Sequence, residues 1–349
     1  MTTKLLTALL LTTALTIGCG KKSDTAPGSD STKVGASLTG AGSTFIEPIM
    51  THWIAEYGKT GAKINYQGVG SGAGINNLID KTVDFAGSDA PMNANELERA
   101  KDAVIHIPAV IGAVCVCYNI DGMQSGLNLD GEVLANIFLG KITYWDAPEI
   151  KTLNKSAKLP HEKIFTVHRS DGSGTTAIFT NYLSKVSADW KTKIGEGKTV
   201  NWPENGLGGK GNAGVAGILK EHAYSIGYVE LAYAEQNKIS YASIKNSSGN
   251  FIAPSVEAAS LAADGVQLPP DMIAWITNTG NPQGYPITGF SWCIIYKNAA
   301  KSAEVKKFMQ WVTTIGQNDC KALYYAPLPE AIRKMEATVL EGGAPTAQQ

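Results

Sequence analysis

Apolar positions along the chain follow two alternating rhythms. Phe45, Ile49, Trp53 and Tyr57 recur at every fourth position, the spacing of one helix face, and predict a helix over 45–57. Similar periodicity predicts helices at 74–81, 93–103, 131–139, 145–154, 175–186, 215–222, 256–263, 301–314 and 328–340. Short runs between them predict strands at 36–39, 63–66, 83–86, 106–119, 164–168, 225–229 and 287–296. The run over 106–119 (HIPAVIGAVCVCYN) is apolar almost throughout, as expected of a strand passing through a core. No internal repeat is visible. Strands alternating with helices in this way predict an α/β architecture.

The first residues follow a different pattern. Lys4 precedes an apolar run from Leu5 to Ile17, then Gly18 and Cys19. A short positive region, an apolar stretch of this length and a small residue before the cut read as a secretory signal over 1–18. The stretch is too short for a membrane span. A cysteine immediately after the cut resembles a bacterial lipoprotein site, which implies lipidation at Cys19 and a membrane anchor. Residues 20–36 (GKKSDTAPGSDSTKVGA) are polar and aperiodic, so 19–36 is expected to be a lipidated cysteine on a flexible tether. The chain is therefore expected to be exported, and periplasmic or held at the cell surface.

Composition narrows the function. Thirty Lys and Arg against 31 Asp and Glu give a formal charge of -1, which argues against a nucleic-acid partner. Arginine occurs three times, at Arg99, Arg169 and Arg333, whereas glycine occurs 37 times in 349 residues. Cys115, Cys117, Cys293 and Cys320 form no Cys-x-x-Cys pair, and His52, His106, His161, His168 and His222 are scattered, so no metal site is expected. Cys115 and Cys117 stand at i and i+2 in an expected strand, on one face, and read as small apolar residues; bonds to Cys293 or Cys320 stay open.

The informative feature is a recurring junction. Strands run into glycine-rich turns, a Ser or Thr, and then a helix at LTGAGSTF (38–45), YQGVGSGAG (66–74) and VHRSDGSGTT (167–176). DFAGSDAPM (84–92) has the same shape and ends on an aspartate. Each places unpaired N–H groups and a hydroxyl at the positive end of a helix dipole. In open α/β sheets such turns gather at the carboxyl ends of strands, so the four could converge on one anion. Arg169 directly precedes the third cluster, and a guanidinium among hydroxyls suits phosphate. Asp89 discriminates: a carboxylate beside an anion repels it unless the anion carries a proton, as phosphate does near neutral pH and sulfate does not.

Together with LGKITYWD (139–146), GLGGKGNAGV (206–215) and IGYVELAYA (226–234), these motifs resemble the PstS family, the phosphate-specific substrate-binding proteins of bacterial ABC transporters. The resemblance covers about 37–329. It implies a two-lobed periplasmic-binding-protein fold (type II-like), each lobe a mixed sheet flanked by helices and joined by two hinge strands. The lobes would be 37–118 with 244–349, and 119–243, hinged near Tyr118 and Ser243. It implies phosphate ligands at Thr44, the N–H of Phe45, Ser71, Asp89, Arg169, Ser173, the N–H of Gly174 and Thr175, with Asp171 holding the arginine fork. Ser43 and Ser170 stand where some members have alanine, and Gly72-Ala73 replaces Ser-Gly. Expected partners are inorganic phosphate, an inner-membrane permease and its ATPase; no cofactor is expected, and a monomer is.

Rival readings are a phosphoesterase, or a surface lipoprotein for adhesion or signalling, on the same scaffold. The first would need an activated nucleophile, and His168, beside Arg169 on a strand, points away from the Ser173 side. Gly206, Gly208 and Gly211 spell GxGxxG but follow Asn-Trp-Pro-Glu-Asn rather than an apolar strand, so no dinucleotide site is expected.

Overall fold

A computed structural model describes residues 37–124, 126–204 and 206–343. The expected signal, Cys19 and the tether lie outside the described residues. In chain order the elements are β1 Ser37–Gly42, α1 Glu47–Gly58, β2 Lys63–Gly68, α2 Ser71–Ile79, β3 Phe85–Ser88, α3 Ala94–Ala100, β4 Val104–Asn119 and β5 Asn128–Leu129. There follow α4 Gly131–Phe138, α5 Pro148–Leu153, β6 Phe165–Arg169, α6 Gly174–Val186, α7 Ala188–Lys193, β7 Leu207–Gly209, α8 Gly211–Glu221 and β8 Ser225–Glu230. The last are α9 Leu231–Asn237, β9 Ser240–Tyr241, β10 Ser243–Lys245, β11 Phe251–Ile252, α10 Val256–Ala263, β12 Thr288–Tyr296, α11 Ser302–Thr313 and α12 Glu330–Leu340.

The main sheet runs β2-β1-β3-β12-β4-β8-β6-β7, with β9 also against β4. Its long member is the expected apolar strand. Val104 to Ala113 of β4 pairs antiparallel with β12, and Val114 to Asn119 pairs antiparallel with β8. β4 is thus common to two halves. One contains β1, parallel to β2 and β3; the other contains β6, parallel to β7 and β8. The β4 side chains are buried from His106 to Tyr118, which explains the absence of polar alternation. Beside the main sheet, β10 pairs with β5 and β11. The position expected as a hinge, Ser243, therefore lies opposite Asn128 in a small sheet.

One irregularity bears on the site. Against β12, the register of β4 jumps from Val110 opposite Ser291 to Pro108 opposite Trp292, leaving Ala109 as the extra residue of a bulge. Pro108 has no N–H for a regular ladder, and a bulge is where a strand tolerates it. The Ala109 carbonyl accepts instead from Gln317 Nε2 at 3.0 Å.

Several helices begin on side-chain caps. Asn93 and Glu96 form a reciprocal capping box on α3, Asp130 caps α4, and Ser173 caps α6 by accepting from Thr176 N–H at 3.0 Å. Cys115, Cys117, Cys293 and Cys320 are buried free thiols, and burial pushes each upward from its ordinary value.

Candidate functional site

The carboxyl ends of β1, β2, β3, β6 and β7 bring five turns together. At the first, Gly42 lies so close to β3 that an added Cβ would stand 2.1 Å from the Gly87 carbonyl. At the second, Gly70 has φ +92°, and a Cβ there would meet Asp171 Oδ2 at 2.3 Å. These two glycines let the turns close on one another.

Three hydroxyls in this cluster are held as donors. Thr44 Oγ1 accepts from the backbone N–H and the side-chain amide of Asn212, at 3.1 and 3.0 Å. Thr175 Oγ1 accepts from Arg169 Nη1 at 3.3 Å and from the same Asn212 amide at 3.2 Å. Ser71 Oγ accepts from the N–H groups of Gly174 and Asp89, at 3.1 and 3.3 Å. A hydroxyl has two acceptor positions and one hydrogen, so with both acceptor positions engaged each retains only the role of donor.

The charged groups are Arg169, Asp171 and Asp89. Arg169 is buried, and its Nε and Nη2 donate in parallel to Asp171 Oδ1 and Oδ2 at 2.8 and 2.6 Å. Burial alone would raise the Asp171 carboxyl, but the hydrogen bonds and charge of Arg169, with the N–H of Gly211 at 3.0 Å, bring it below its ordinary value. Asp89 is 1% exposed. Its Oδ1 accepts from the hydroxyls of Ser43 and Ser291 at 2.6 and 2.8 Å. Its Oδ2 accepts from Ser43 at 2.6 Å and, in a longer bond, from Ser71 Oγ at 3.5 Å. Burial pushes Asp89 up to about 6, with Ser43, Ser291 and the positive charge of Arg169 opposing.

All eight expected ligand residues lie in this buried assembly, in different roles. The N–H of Phe45 donates to Ser43 Oγ at 2.9 Å, the N–H of Gly174 to Ser71, and Ser173 Oγ caps α6. Asp171 lies against the guanidinium fork, 2.6 Å from Arg169 Nη2. His168 stacks on Trp202 with ring centres 4.8 Å apart.

Sequence reasoning missed Asn212, Ser291, Tyr233 and Tyr228. Asn212 sits in GLGGKGNAGV, a segment quoted above for the family resemblance whose GxGxxG was rejected as a dinucleotide site; in the fold, β7 and α8 make it a fifth strand–turn–helix junction, the signal already used four times. Tyr233 donates to the Thr44 carbonyl at 2.6 Å, and Tyr228 accepts from Arg169 N–H at 3.2 Å while sharing a 2.6 Å bond with Thr176. Behind them Glu230 is fully buried, and burial pushes its carboxyl far above the usual range, favouring the neutral acid.

The two halves of the sheet meet across this cluster. Gly72 N–H donates to the Gly172 carbonyl at 2.9 Å, and Lys198 Nζ pairs with Glu96 Oε2 at 2.7 Å.

The architecture first defines the class. The family described as the PBP superfamily domain matches residues 26–314. Over 309 residues the chain is 45% identical to "Phosphate-binding protein PstS" of Pasteurella multocida, covering 86% of this chain and 89% of that one. Over 353 residues it is 42% identical to the protein of the same name from Xylella fastidiosa, covering 95% and 96%. The chain belongs to the PstS family of the PBP superfamily. A solved high affinity periplasmic phosphate-binding protein bound with phosphate shares the fold, with a TM-score of 0.70 at 23% identity over 89% of this chain and 96% of that one.

Proposed function

We propose that this protein binds inorganic phosphate at the five-turn cluster and delivers it to an ABC permease and its ATPase for import. The observation that carries this reading is the pairing of donor-only hydroxyls on Thr44, Ser71 and Thr175 with one buried acceptor, Asp89. A fully ionised oxyanion offers acceptors alone. Phosphate near neutral pH offers acceptors and at least one O–H, which matches this inventory. Arg169 supplies charge, with Asp171 orienting its fork; Ser173 adds a hydroxyl, and the N–H groups of Phe45 and Gly174, bonded here to Ser43 Oγ and Ser71 Oγ, would share their hydrogens with the ion. The ion is held by hydrogen bonds in a dry site and released unchanged, so the role is binding and not catalysis.

Entry and release require the halves to part, which would break the Gly72–Gly172 and Asn212–Thr44 bonds and the Lys198–Glu96 pair. We take the seam between lobes to run between Ala113 and Val114 of β4 and just before Thr288 of β12. In support, strand pairing changes hands at the first, and β10 and β11 pair with β5 rather than with β12. We read the exported protein as a monomer tethered to the membrane through a lipid on Cys19. The signal-like pattern of 1–18 and the polar run of 20–36 support that reading, and mass spectrometry of the mature N-terminus tests it.

Calorimetric titration with phosphate and with sulfate tests the function. Binding of phosphate alone is expected; equal binding of both, or of neither, would sink it.

A further inference from the structure

The two oxygens of Asp89 are not equivalent. Oδ1 receives two short hydrogen bonds, from Ser43 at the end of β1 and from Ser291 on β12. Oδ2 shares the single Ser43 hydrogen, receives only a long bond from Ser71 at 3.5 Å, and faces the anion turn: a Cβ placed on Gly174 would lie 2.5 Å from it. Ser43 is in turn fixed from both sides. Its N–H donates to the Gly87 carbonyl at 2.8 Å, and its Oγ accepts from Phe45 N–H at 2.9 Å, which directs its hydrogen to the carboxylate. Ser291 is fixed by the bulge opposite it, where Ala109 is extra and the next β12 residue, Trp292, pairs with Ser88 beside Asp89.

We infer that Ser43 and Ser291 are positioning residues that saturate Oδ1 of Asp89, keep the carboxylate ionised, and leave Oδ2 as the acceptor that reads the proton on the bound oxyanion. The inference rests on the phosphate reading above and deepens it: specificity for a protonated oxyanion is set by three side chains rather than by Asp89 alone.

Both hydroxyls donate to the charged form of Asp89 and so oppose the upward push of burial. The other charged or titratable groups facing it are Arg169 from β6, Tyr66 from β2, Glu230 at the end of β8, and Tyr325. Of these, Arg169 favours the ionised carboxylate. Buried Glu230, favoured as the neutral acid, adds little field, and the two tyrosines remain phenols, since burial moves both well upward. Removing a serine hydroxyl therefore raises Asp89 further. A protonated Asp89 offers an O–H donor, which an ion without protons accepts. Sulfate affinity should then rise with the protonated fraction of Asp89, while phosphate loses its acceptor.

The test is calorimetry with potassium phosphate and potassium sulfate from pH 5 to pH 8.5, on the wild type, Ser43→Ala, Ser291→Ala and Ser43→Thr. In the wild type the preference for phosphate should weaken as pH falls through the Asp89 titration. In each alanine variant that fall should begin roughly half to one pH unit higher, lowering the preference at pH 7.5 about three- to tenfold. Ser43→Thr, which keeps the hydroxyl, should restore the wild-type profile. A packing role alone would weaken both ions equally at every pH, and an unshifted profile in both alanine variants would overturn the inference. Ser291→Ala keeps the test decisive if Ser43→Ala does not fold. Failure of the wild type to prefer phosphate would overturn the phosphate reading instead, so the two failures are distinct.

Discussion

Asp171 and Asp89 flank the same arginine and behave oppositely. Asp171 meets the Arg169 fork with both oxygens and takes a third hydrogen bond from Gly211, and its side chain is 15% exposed. It stays a carboxylate, held below its ordinary value. Asp89 feels Arg169 only through space, is closed off from water, and is supported by serine hydroxyls, so burial dominates and lifts it to about 6. Direct pairing makes one aspartate a fixed counter-charge; burial with hydroxyl support makes the other a group whose proton is in play near neutral pH. The proposed anion site thus combines an arginine that Asp171 orients and partly neutralises with an acceptor for a proton.

The largest effect should come from removing the shared partner. Arg169→Met strips the charge from the site and leaves Asp171 without its fork. Truncating one partner of a buried, hydrogen-bonded charge pair typically costs about 2–5 kcal/mol, so phosphate affinity should fall about 30- to several thousand-fold. Titration calorimetry reads this directly. A loss below about fivefold, under 1 kcal/mol, would mean that hydroxyls and amides alone hold the ion.

The second effect separates stability from function at Asp89. Its folded value, about 6, lies above the ordinary 3.8. The favourable contribution of a raised carboxyl is complete below 3.8 and is lost as pH rises through about 6. Above that range the ionised group destabilises the unliganded fold by on the order of 3 kcal/mol, at about 1.4 kcal/mol per pH unit of displacement. Asp89→Asn should therefore be the more stable protein at pH 7.5, by up to that amount, with the advantage vanishing near pH 4. It should also bind phosphate less selectively against sulfate. Urea unfolding at the two pH values checks the first part; no gain at pH 7.5 would show that the surrounding hydroxyls compensate the buried charge fully.

A smaller effect is expected at Asn212, whose amide occupies one acceptor position on each of Thr44 and Thr175. Asn212→Ala frees both hydroxyls to turn away, and its own Oδ1 no longer accepts from Glu230 N–H. The cost should be about 1–2 kcal/mol, roughly tenfold in phosphate affinity, with little change in the phosphate-to-sulfate ratio because Asp89 is untouched. A collapse of that ratio would move the origin of selectivity from Asp89 to the donors.

How much of this was legible before the fold was known depended on distance along the chain. Thr44, Ser71, Asp89 and Arg169 stand at strand–turn–helix junctions whose glycines and hydroxyls are local, and the expected strands and helices around them recur within a few residues. The β4 strand was legible because a run buried on both faces has no polar alternation. Ser291 was not: it reaches Asp89 only because β12 inserts antiparallel between β3 and β4, a pairing 202 residues distant that no local pattern encodes. Asn212 was hidden differently. The turn preceding β7 contains Trp202 and Pro203, so the three-residue strand lacked the apolar run that signals one.

The mildest test concerns the contact between the two halves at the rim. Lys198 Nζ reaches Glu96 Oε2 on α3 at 2.7 Å and the Pro91 carbonyl at 3.3 Å, while its own carbonyl accepts from Ser173 N–H at 2.8 Å. Lys198→Met removes the ion pair and leaves the backbone support of the Ser173 turn in place. The pair is largely screened from solvent, at 13% and 11% side-chain exposure, but Glu96 keeps a partner in Asn93 N–H at 2.8 Å, so no bare charge is stranded. The loss should be about 1 kcal/mol, near the upper end for ion pairs not fully buried. If parting of the halves controls release, that loss appears as phosphate dissociation about fivefold faster with association unchanged. Stopped-flow rates decide between this latch and a merely structural pair. A structural pair would lower the melting temperature and leave the dissociation rate where it was.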